Sequence, residues 1–103
     1  MTLQLLDSAR TELQQAVAHY NEQSDGLGDQ FLLAVEELLA QIEKNPLRFG
    51  KMETLYRRTD VRRALVAGFP YYLPFQTIEE EILVVAVSHA SRKPNYWRRR
   101  LKT

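Results

Sequence analysis

The sequence predicts an α+β domain in which a helical hairpin packs on an antiparallel, mostly meander β-sheet. The predicted order is β-α-α-β-β-β, followed by a short basic C-terminal segment. Two stretches of the first half repeat apolar residues at spacings of three and four, which indicates two amphipathic helices. Two apolar and β-branched runs of the second half, at 69–76 and 82–87, are separated by a charged break, which is typical of an antiparallel hairpin. Because a helical hairpin cannot cover its own apolar stripes, it needs a sheet to pack against.

The first element is a candidate strand at 2–6, a short and mostly apolar run. Asp7 or Ser8 can cap the helix that follows by accepting a hydrogen bond from an amide of its first turn. The apolar stripe of this helix consists of Ala9, Leu13, Ala16, Val17 and Tyr20.

A second amphipathic helix follows a turn at 24–28, where two glycines interrupt the pattern. Its apolar stripe consists of Phe31, Val35, Leu38, Leu39 and Ile42. This helix is expected to end before Pro46, because proline disfavours the helical conformation of the preceding Asn45. The two helices therefore form an antiparallel hairpin.

Residues 46–59 show no clear period and are interpreted as a loop. Residues 61–66 predict a strand in which Arg62 or Arg63 faces solvent, and 68–70 turn the chain into the β-hairpin. No internal repeat or low-complexity tract is present.

The two strands of the β-hairpin differ in character. Pro74 lacks an amide donor, so its strand is expected to have a bulge or a free side near its middle. The run at 82–87 has no polar residue on either alternation, which predicts a central strand covered on both faces.

The length and composition of the chain limit the class of protein to which it can belong. A length of 103 residues predicts one domain, 1–103, with a single core. The absence of cysteine excludes disulfides and thiolate zinc sites and suits a reducing compartment, so the cytoplasm is the expected location. A membrane helix takes about 20 apolar residues, and no such run and no export signal is visible.

Charge is divided along the chain. Up to Glu43 there are one basic and eight acidic residues, a net charge of −7, whereas from Lys44 onward there are 13 basic and 5 acidic residues, a net charge of +8. Such a dipolar surface attracts an acidic partner to one side, either nucleic acid or an acidic peptide.

Few side chains suggest catalysis. Nucleophile elbows, phosphate-binding glycine loops and paired-histidine metal motifs are missing, and no cofactor or metal site is predicted. His19 is interpreted as a surface imidazole, and His89 either fixes the end of the last strand or acts as a general base. The three glutamates at 79–81 are interpreted as a solvated hairpin turn.

The basic half is the most distinctive feature of the sequence. Among its arginines are Arg57, Arg58, Arg62, Arg63, Arg92, Arg98, Arg99 and Arg100. Guanidinium groups recognise phosphate or carboxylate through two parallel hydrogen bonds, so this half is expected to bind an acidic polymer or an acidic segment of a partner. Tyr96 and Trp97 lie among these arginines and either anchor the tail to the sheet or stack on a ligand.

The order and spacing of several short motifs resemble the RelE/ParE superfamily of bacterial type II toxin–antitoxin modules, over nearly the whole chain. These motifs are Ala9-x-x-x-Leu13-x-x-Ala16-x-x-x-Tyr20, Leu27-Gly28-x-x-Phe31, Asn45-Pro46 with Phe49, Phe69-Pro70-Tyr71, and His89-x-x-Arg92-x-Pro94-x-Tyr96-Trp97. The Arg92-x-Pro94-x-Tyr96-Trp97 ending is more similar to the ParE side of the superfamily than to the RelE side.

The resemblance implies a growth-inhibiting toxin that a cognate antitoxin neutralises. A ParE-like toxin binds DNA gyrase and needs no catalysis, and its candidate target contacts here are Trp97, Arg98, Arg99 and Arg100. The alternative is a RelE-like endoribonuclease that cuts mRNA on the ribosome, with Arg63, Arg92, Tyr96 and His89 as candidate catalytic residues. The lysine-rich sheet face of the RelE-like group is absent from this chain, which argues against ribonuclease activity. A third possibility is a binding module without toxicity.

The antitoxin is expected to insert an acidic, amphipathic segment into an apolar groove between the helical hairpin and the sheet, rimmed by basic residues. The candidate antitoxin-binding residues are Phe31, Val35, Leu38 and Arg62.

Overall fold

The computed structural model describes residues 2–52 and 59–102. The helices are α1 (Asp7–Gln23) and α2 (Leu27–Lys44), and the strands are β1 (Thr2–Leu5), β2 (Gly50–Lys51), β3 (Asp60–Leu65), β4 (Tyr71–Ile78), β5 (Glu81–Val84) and β6 (Ser88–His89). Short 3₁₀ helices occupy Pro46–Arg48 and Tyr96–Arg100. The α+β prediction, with two helices packed on one sheet, is confirmed. Arg57 and Arg58, and the part of the predicted loop at 53–58, lie outside the described residues.

The sheet has the order β1-β5-β4-β3-β2, and the two-residue β6 pairs with β4. Strands β3 to β5 form the predicted antiparallel meander, and β2 extends it by pairing with β3. β1 runs parallel to β5, with Thr2 opposite Glu81 and Leu5 opposite Val84. The sheet is therefore mixed, because the helical hairpin carries the chain away from β1 and the last long strand returns beside it.

Register changes by one residue beside Pro74. Phe75 lies opposite Val84, whereas Tyr72 lies opposite Ser88. Between these two pairs, the three residues 85–87 face the two residues 73–74 of β4. The Pro74 carbonyl accepts a hydrogen bond from the Val85 amide at 3.0 Å, which shows that the proline nitrogen faces the same irregular segment. The predicted irregularity is present, but the extra residue is on the partner of the proline strand, where a missing donor disturbs the ladder least.

Both faces of the sheet are covered, as the apolar run at 82–87 predicts. Ile82, Val84 and Val87 belong to the main core beneath the helices. The remaining members of the run, Leu83, Val85 and Ala86, belong to a second cluster built around Trp97. The tail, defined as residues 90–102, therefore covers the sheet face opposite the helices.

The helical hairpin closes tightly at Gly28. A Cβ atom at this position would lie 2.1 Å from the carbonyl oxygen of Val17, so only glycine permits this approach of α2 to α1. The Gly28 amide also donates to Oδ1 of Asn21 at 2.7 Å.

Two local predictions need correction. The N-cap of α1 is Leu6, with no side-chain cap, so the capping role predicted for Asp7 or Ser8 is wrong. Asp7 is instead the first helical residue, where its charge favours the helix dipole. The loop predicted at 46–59 contains the first 3₁₀ helix and β2, which pairs with Arg62 and Arg63 of β3. Such short elements leave no periodic signal.

Within residues 2–52 and 59–102, no helix combines the length and the apolar character needed to cross a membrane.

Candidate functional site

Trp97 anchors the tail to the sheet. Its side chain is 1% exposed and packs in the second cluster with Val61 and Val85. The indole Nε1–H donates to the hydroxyl of Tyr72 at 3.1 Å, which satisfies its only polar group. The interpretation that Trp97 anchors the tail is therefore confirmed. Its expected contact with the target stays a prediction, and in this arrangement the indole lies in the interior.

Gln76 fixes the far end of the tail. Its amide is fully buried in β4 and exchanges two hydrogen bonds with the backbone of Lys102. The Lys102 amide donates to Oε1 at 2.9 Å, and Nε2 donates to the Lys102 carbonyl at 2.7 Å. The side chain thus acts like a further strand residue, which explains how a glutamine is tolerated in the core.

Glu12 of α1 binds the middle of the tail, and the sequence analysis did not identify it. Arg100 donates to both carboxylate oxygens, at 2.9 and 3.2 Å, and Tyr96 donates its hydroxyl at 2.6 Å. Arg92 donates at 3.2 Å and the Val87 amide at 3.1 Å. We call Glu12, Arg92, Tyr96 and Arg100 the carboxylate cluster.

The environment changes the acidity of two members of this cluster. Burial by itself would raise the pKa of Glu12, but hydrogen bonds from Arg100, Tyr96 and Val87 outweigh burial, so the pKa lies below its ordinary value of 4.5. Burial and the hydrogen bond to Glu12 raise the pKa of Tyr96 to about 12. Near neutral pH the carboxylate is charged and the phenol keeps its proton.

The two arginines of the carboxylate cluster also contact the ring of Tyr96. The Arg92 guanidinium carbon lies 3.8 Å from the ring centroid and that of Arg100 lies 5.2 Å away. Arg100 additionally donates to the Val85 carbonyl at 3.0 Å. These contacts hold the tail, and the expected role of Arg100 as a target contact stays a prediction.

Arg98 and Arg99 have a different setting. Arg99 is exposed and Arg98 is half-buried. Both line a surface cleft of about 520 Å³ together with Lys93, Asn95 and Tyr96. With three cationic side chains around it, this cleft is suited to carboxylate or phosphate groups.

The four candidate nuclease residues are only partly brought together. Arg92 and Tyr96 are in contact, and His89 lines a cleft of about 160 Å³ with Arg92, Glu12 and His19. Arg63 lies on β3 and lines a separate cleft of about 420 Å³ with Lys51 and Asn95. Nδ1 of His89 lies 3.0 Å from the Ser91 amide and 2.7 Å from its hydroxyl, a contact that fixes the strand end.

The residues predicted to bind the antitoxin lie in or beside the core, and their role in antitoxin binding stays a prediction. Phe31 and Val35 are fully buried and Leu38 is 6% exposed, because α2 packs directly on the sheet and fills the expected groove. Arg62 donates to the carbonyls of Leu47 and Phe49 at 3.2 and 2.8 Å and pairs with Asp60 at 3.1 Å.

An apolar cleft instead lies on the outer side of the helical hairpin. Its volume is about 400 Å³, and the residues that line it are Arg10, Leu13, Gln14, Val17, Ala18 and Leu32.

The position of Glu12 in the sequence carries a signal for a buried ion pair. Glu12 lies three residues after Ala9 and four before Ala16, and both alanines are buried. An acidic residue on the apolar stripe of a helix needs a buried partner. A basic tail without acidic residues could supply that partner.

Across residues 2–52 and 59–102, no group of three or more acidic or histidine side chains could hold a metal ion.

Comparison with known proteins extends these observations. Residues 3–94 match the sequence model of a family described as the ParE toxin of the type II toxin–antitoxin system, parDE. A solved structure described as the chromosomal ParDE TA system from P. aeruginosa superposes with a TM-score of 0.66 at 18% identity, covering 88% of this chain and 97% of that chain. At this identity the superposition supports the fold alone. No curated protein gives a significant match.

Proposed function

Because the chain belongs to the ParE toxin family of type II toxin–antitoxin systems, we propose that it inhibits growth by binding DNA gyrase and that a cognate antitoxin neutralises it. The family match covers residues 3–94, and thus both helices, the sheet and the start of the tail. The cytoplasm, where gyrase acts, is the proposed site of action.

The observation that carries the gyrase proposal is the docked basic tail. Trp97 is buried, its chain neighbours Tyr96 and Arg98 are half-buried, and Arg99 is exposed. The same short 3₁₀ helix thus inserts one aromatic side chain into the core and presents Arg98 and Arg99 around a surface cleft. Because the docked tail holds the backbone that carries these two guanidinium groups, binding them to carboxylates of a protein partner orders less of the chain.

The carboxylate cluster argues against the ribonuclease alternative. A tyrosine with a pKa of about 12, whose hydroxyl donates to Glu12, is a poor general base near neutral pH. Arg92 and Tyr96 both bind Glu12, so this carboxylate occupies the anion position that they share, and Arg63 lines another cleft. The nuclease therefore remains the second candidate.

Expression in a bacterial host tests the proposal. We expect the wild-type protein to induce a DNA-damage reporter, to leave transcripts intact and, when purified, to inhibit gyrase supercoiling. The double variant Arg98→Ala with Arg99→Ala should weaken gyrase inhibition about a hundredfold or more, since each of the two charged contacts contributes about 1.5–3 kcal/mol and about 1.4 kcal/mol corresponds to a tenfold change. Arg10→Ala with Arg48→Ala removes the same charge outside the tail and serves as the matched control.

The alternatives give different results in the same experiment. Specific loss of transcripts without a damage response would establish the ribonuclease and contradict the gyrase proposal. Normal growth at high expression would contradict both toxin mechanisms and would leave a binding module without toxicity as the remaining function.

The antitoxin proposal rests on two surfaces. The apolar cleft between Leu13, Val17 and Leu32 can take the apolar side of an amphipathic segment, and the basic tail can attract its acidic side. For the product of a neighbouring reading frame that binds this chain, we expect the association rate to fall at least about tenfold between 50 and 500 mM salt. Stopped-flow mixing measures this rate, and a rate independent of salt would contradict charge steering.

A further inference from the structure

We infer that Glu12 is a positioning residue for target binding: from α1, it holds the tail in the docked arrangement that presents Arg98 and Arg99. This inference rests on the proposed function for its target, but the docking of the tail can be measured without any target.

The tail is attached at three places. The carboxylate cluster holds Arg92, Tyr96 and Arg100, Trp97 fills the second core, and Gln76 pairs with Lys102. Arg98 and Arg99 lie between these attachments and line the basic cleft. Their backbone is thus fixed on both sides before any partner arrives.

Among these attachments, Glu12 has the widest reach along the tail. One carboxylate contacts residues at positions 92, 96 and 100 and also accepts a hydrogen bond from the Val87 amide, which lies between β5 and β6. The Glu12 side chain is only 10% exposed, so water screens its ion pair with Arg100 weakly. Neutralising this residue would leave two arginines without their counter-ion at one site.

Glu12 lies on the helical half of the molecule and lines a different cleft from Arg98 and Arg99. It therefore acts on a target through the tail and not by touching the target itself. Ordering a short segment in advance reduces the entropy lost on binding, which raises affinity without adding a contact.

The test uses Glu12→Gln in the full-length chain, with Glu22→Gln as the matched control on an exposed part of the same helix. Trp97 is the single tryptophan and is buried, so its fluorescence reports directly on tail docking. We expect Glu12→Gln to shift the emission to longer wavelength while far-UV circular dichroism still shows a folded hairpin. Glu22→Gln should keep the wild-type emission.

Function is measured by gyrase inhibition and by growth arrest at matched expression. We expect Glu12→Gln to weaken both about tenfold, the effect of about 1.4 kcal/mol of lost ordering. Combined with Arg98→Ala and Arg99→Ala, it should add little further loss, because it acts through those two arginines. Full additivity would indicate that Glu12 affects only overall stability and would overturn the inference.

Other outcomes are also decisive. Wild-type emission in Glu12→Gln would overturn the inference, and so would a red shift with unchanged growth arrest. If the wild-type protein arrests growth without inhibiting gyrase, the gyrase proposal fails and growth arrest alone decides the role of Glu12. If Glu12→Gln does not fold, Tyr96→Phe removes only the 2.6 Å hydrogen bond and should give a smaller shift in the same direction.

Discussion

At the scale of single residues, the carboxylate of Glu12 shows how a charge can be kept in a largely buried position. Its acceptor capacity is filled by two guanidinium groups, one phenol and one backbone amide. A buried carboxylate without these donors would be protonated or would destabilise the fold. The cluster thereby connects α1 with the chain more than 80 positions further on.

The lowered pKa of Glu12 predicts a specific dependence of stability on pH. A carboxyl group whose folded-state pKa lies below its unfolded value of 4.5 stabilises the fold above pH 4.5, and this contribution is lost as pH falls through the folded-state pKa. We therefore expect Glu12→Gln to lower the free energy of unfolding by about 2 kcal/mol at neutral pH, the size of a charged hydrogen bond, and progressively less at acid pH.

Urea unfolding followed by circular dichroism from pH 7 to pH 3 measures this difference. A difference that stays constant over this pH range would contradict the assignment.

Trp97 provides a second test at the residue scale. Replacing a fully packed tryptophan by alanine typically costs about 3–5 kcal/mol, so Trp97→Ala should lower the free energy of unfolding by about that amount. Leu65, which is 70% exposed, is the control, and Leu65→Ala should change stability by less than about 0.5 kcal/mol. Equal effects in thermal unfolding would show that the tail is not docked in solution.

At the scale of elements, the helical hairpin depends on the missing side chain of Gly28. A methyl group there would meet the Val17 carbonyl at 2.1 Å and the Asn21 side chain at 2.6 Å, and backbone atoms cannot move aside easily. Gly28→Ala should therefore destabilise the protein by about 3 kcal/mol, at the upper end of typical overpacking.

Gly50 offers the matched control, because an added Cβ meets no atom within 4 Å. We expect Gly50→Ala to leave the melting temperature within about 2 °C of the wild type. A Gly28→Ala protein as stable as Gly50→Ala would mean that the helices can separate without cost.

At the scale of the whole molecule, β5 and the segment after it couple the two cores. Val84 and Val87 face the helices, whereas Val85 and Ala86 face the tail. Because consecutive residues of one segment contribute to both clusters, we expect the wild-type protein to unfold as one cooperative unit. Trp97 emission and circular dichroism should give coincident urea transitions, and an earlier tryptophan transition would contradict this coupling.

The division of charge also becomes spatial at this scale. The acidic half of the sequence forms the helical hairpin, and the basic half forms most of the sheet and the tail. Glu12 crosses this division, since it is an acidic residue of the helical half that binds the arginines of the other half.

Local patterns were sufficient for most of the fold. Apolar spacing gave α1 and α2, and the unbroken apolar run at 82–87 gave a central strand with both faces covered. Patterns were insufficient for the site, because Phe31 and Val35 look the same in sequence whether the stripe faces a core or a groove. Burial decided that they belong to the core.

The sequence by itself determined the helix pair, the meander, the basic tail and the family resemblance, since each depends on residues close together in the chain. Only the tertiary structure decided which arginines of the tail are paired within the fold and which line the surface cleft. That difference depends on Glu12, which binds Arg100, and on Gln76, which binds the Lys102 backbone, and both residues are distant in sequence from the tail. The parallel pairing of β1 with β5 was likewise decided in three dimensions. Hydrogen bonds between distant segments leave no period in the sequence, whereas burial on one face of a helix or strand does.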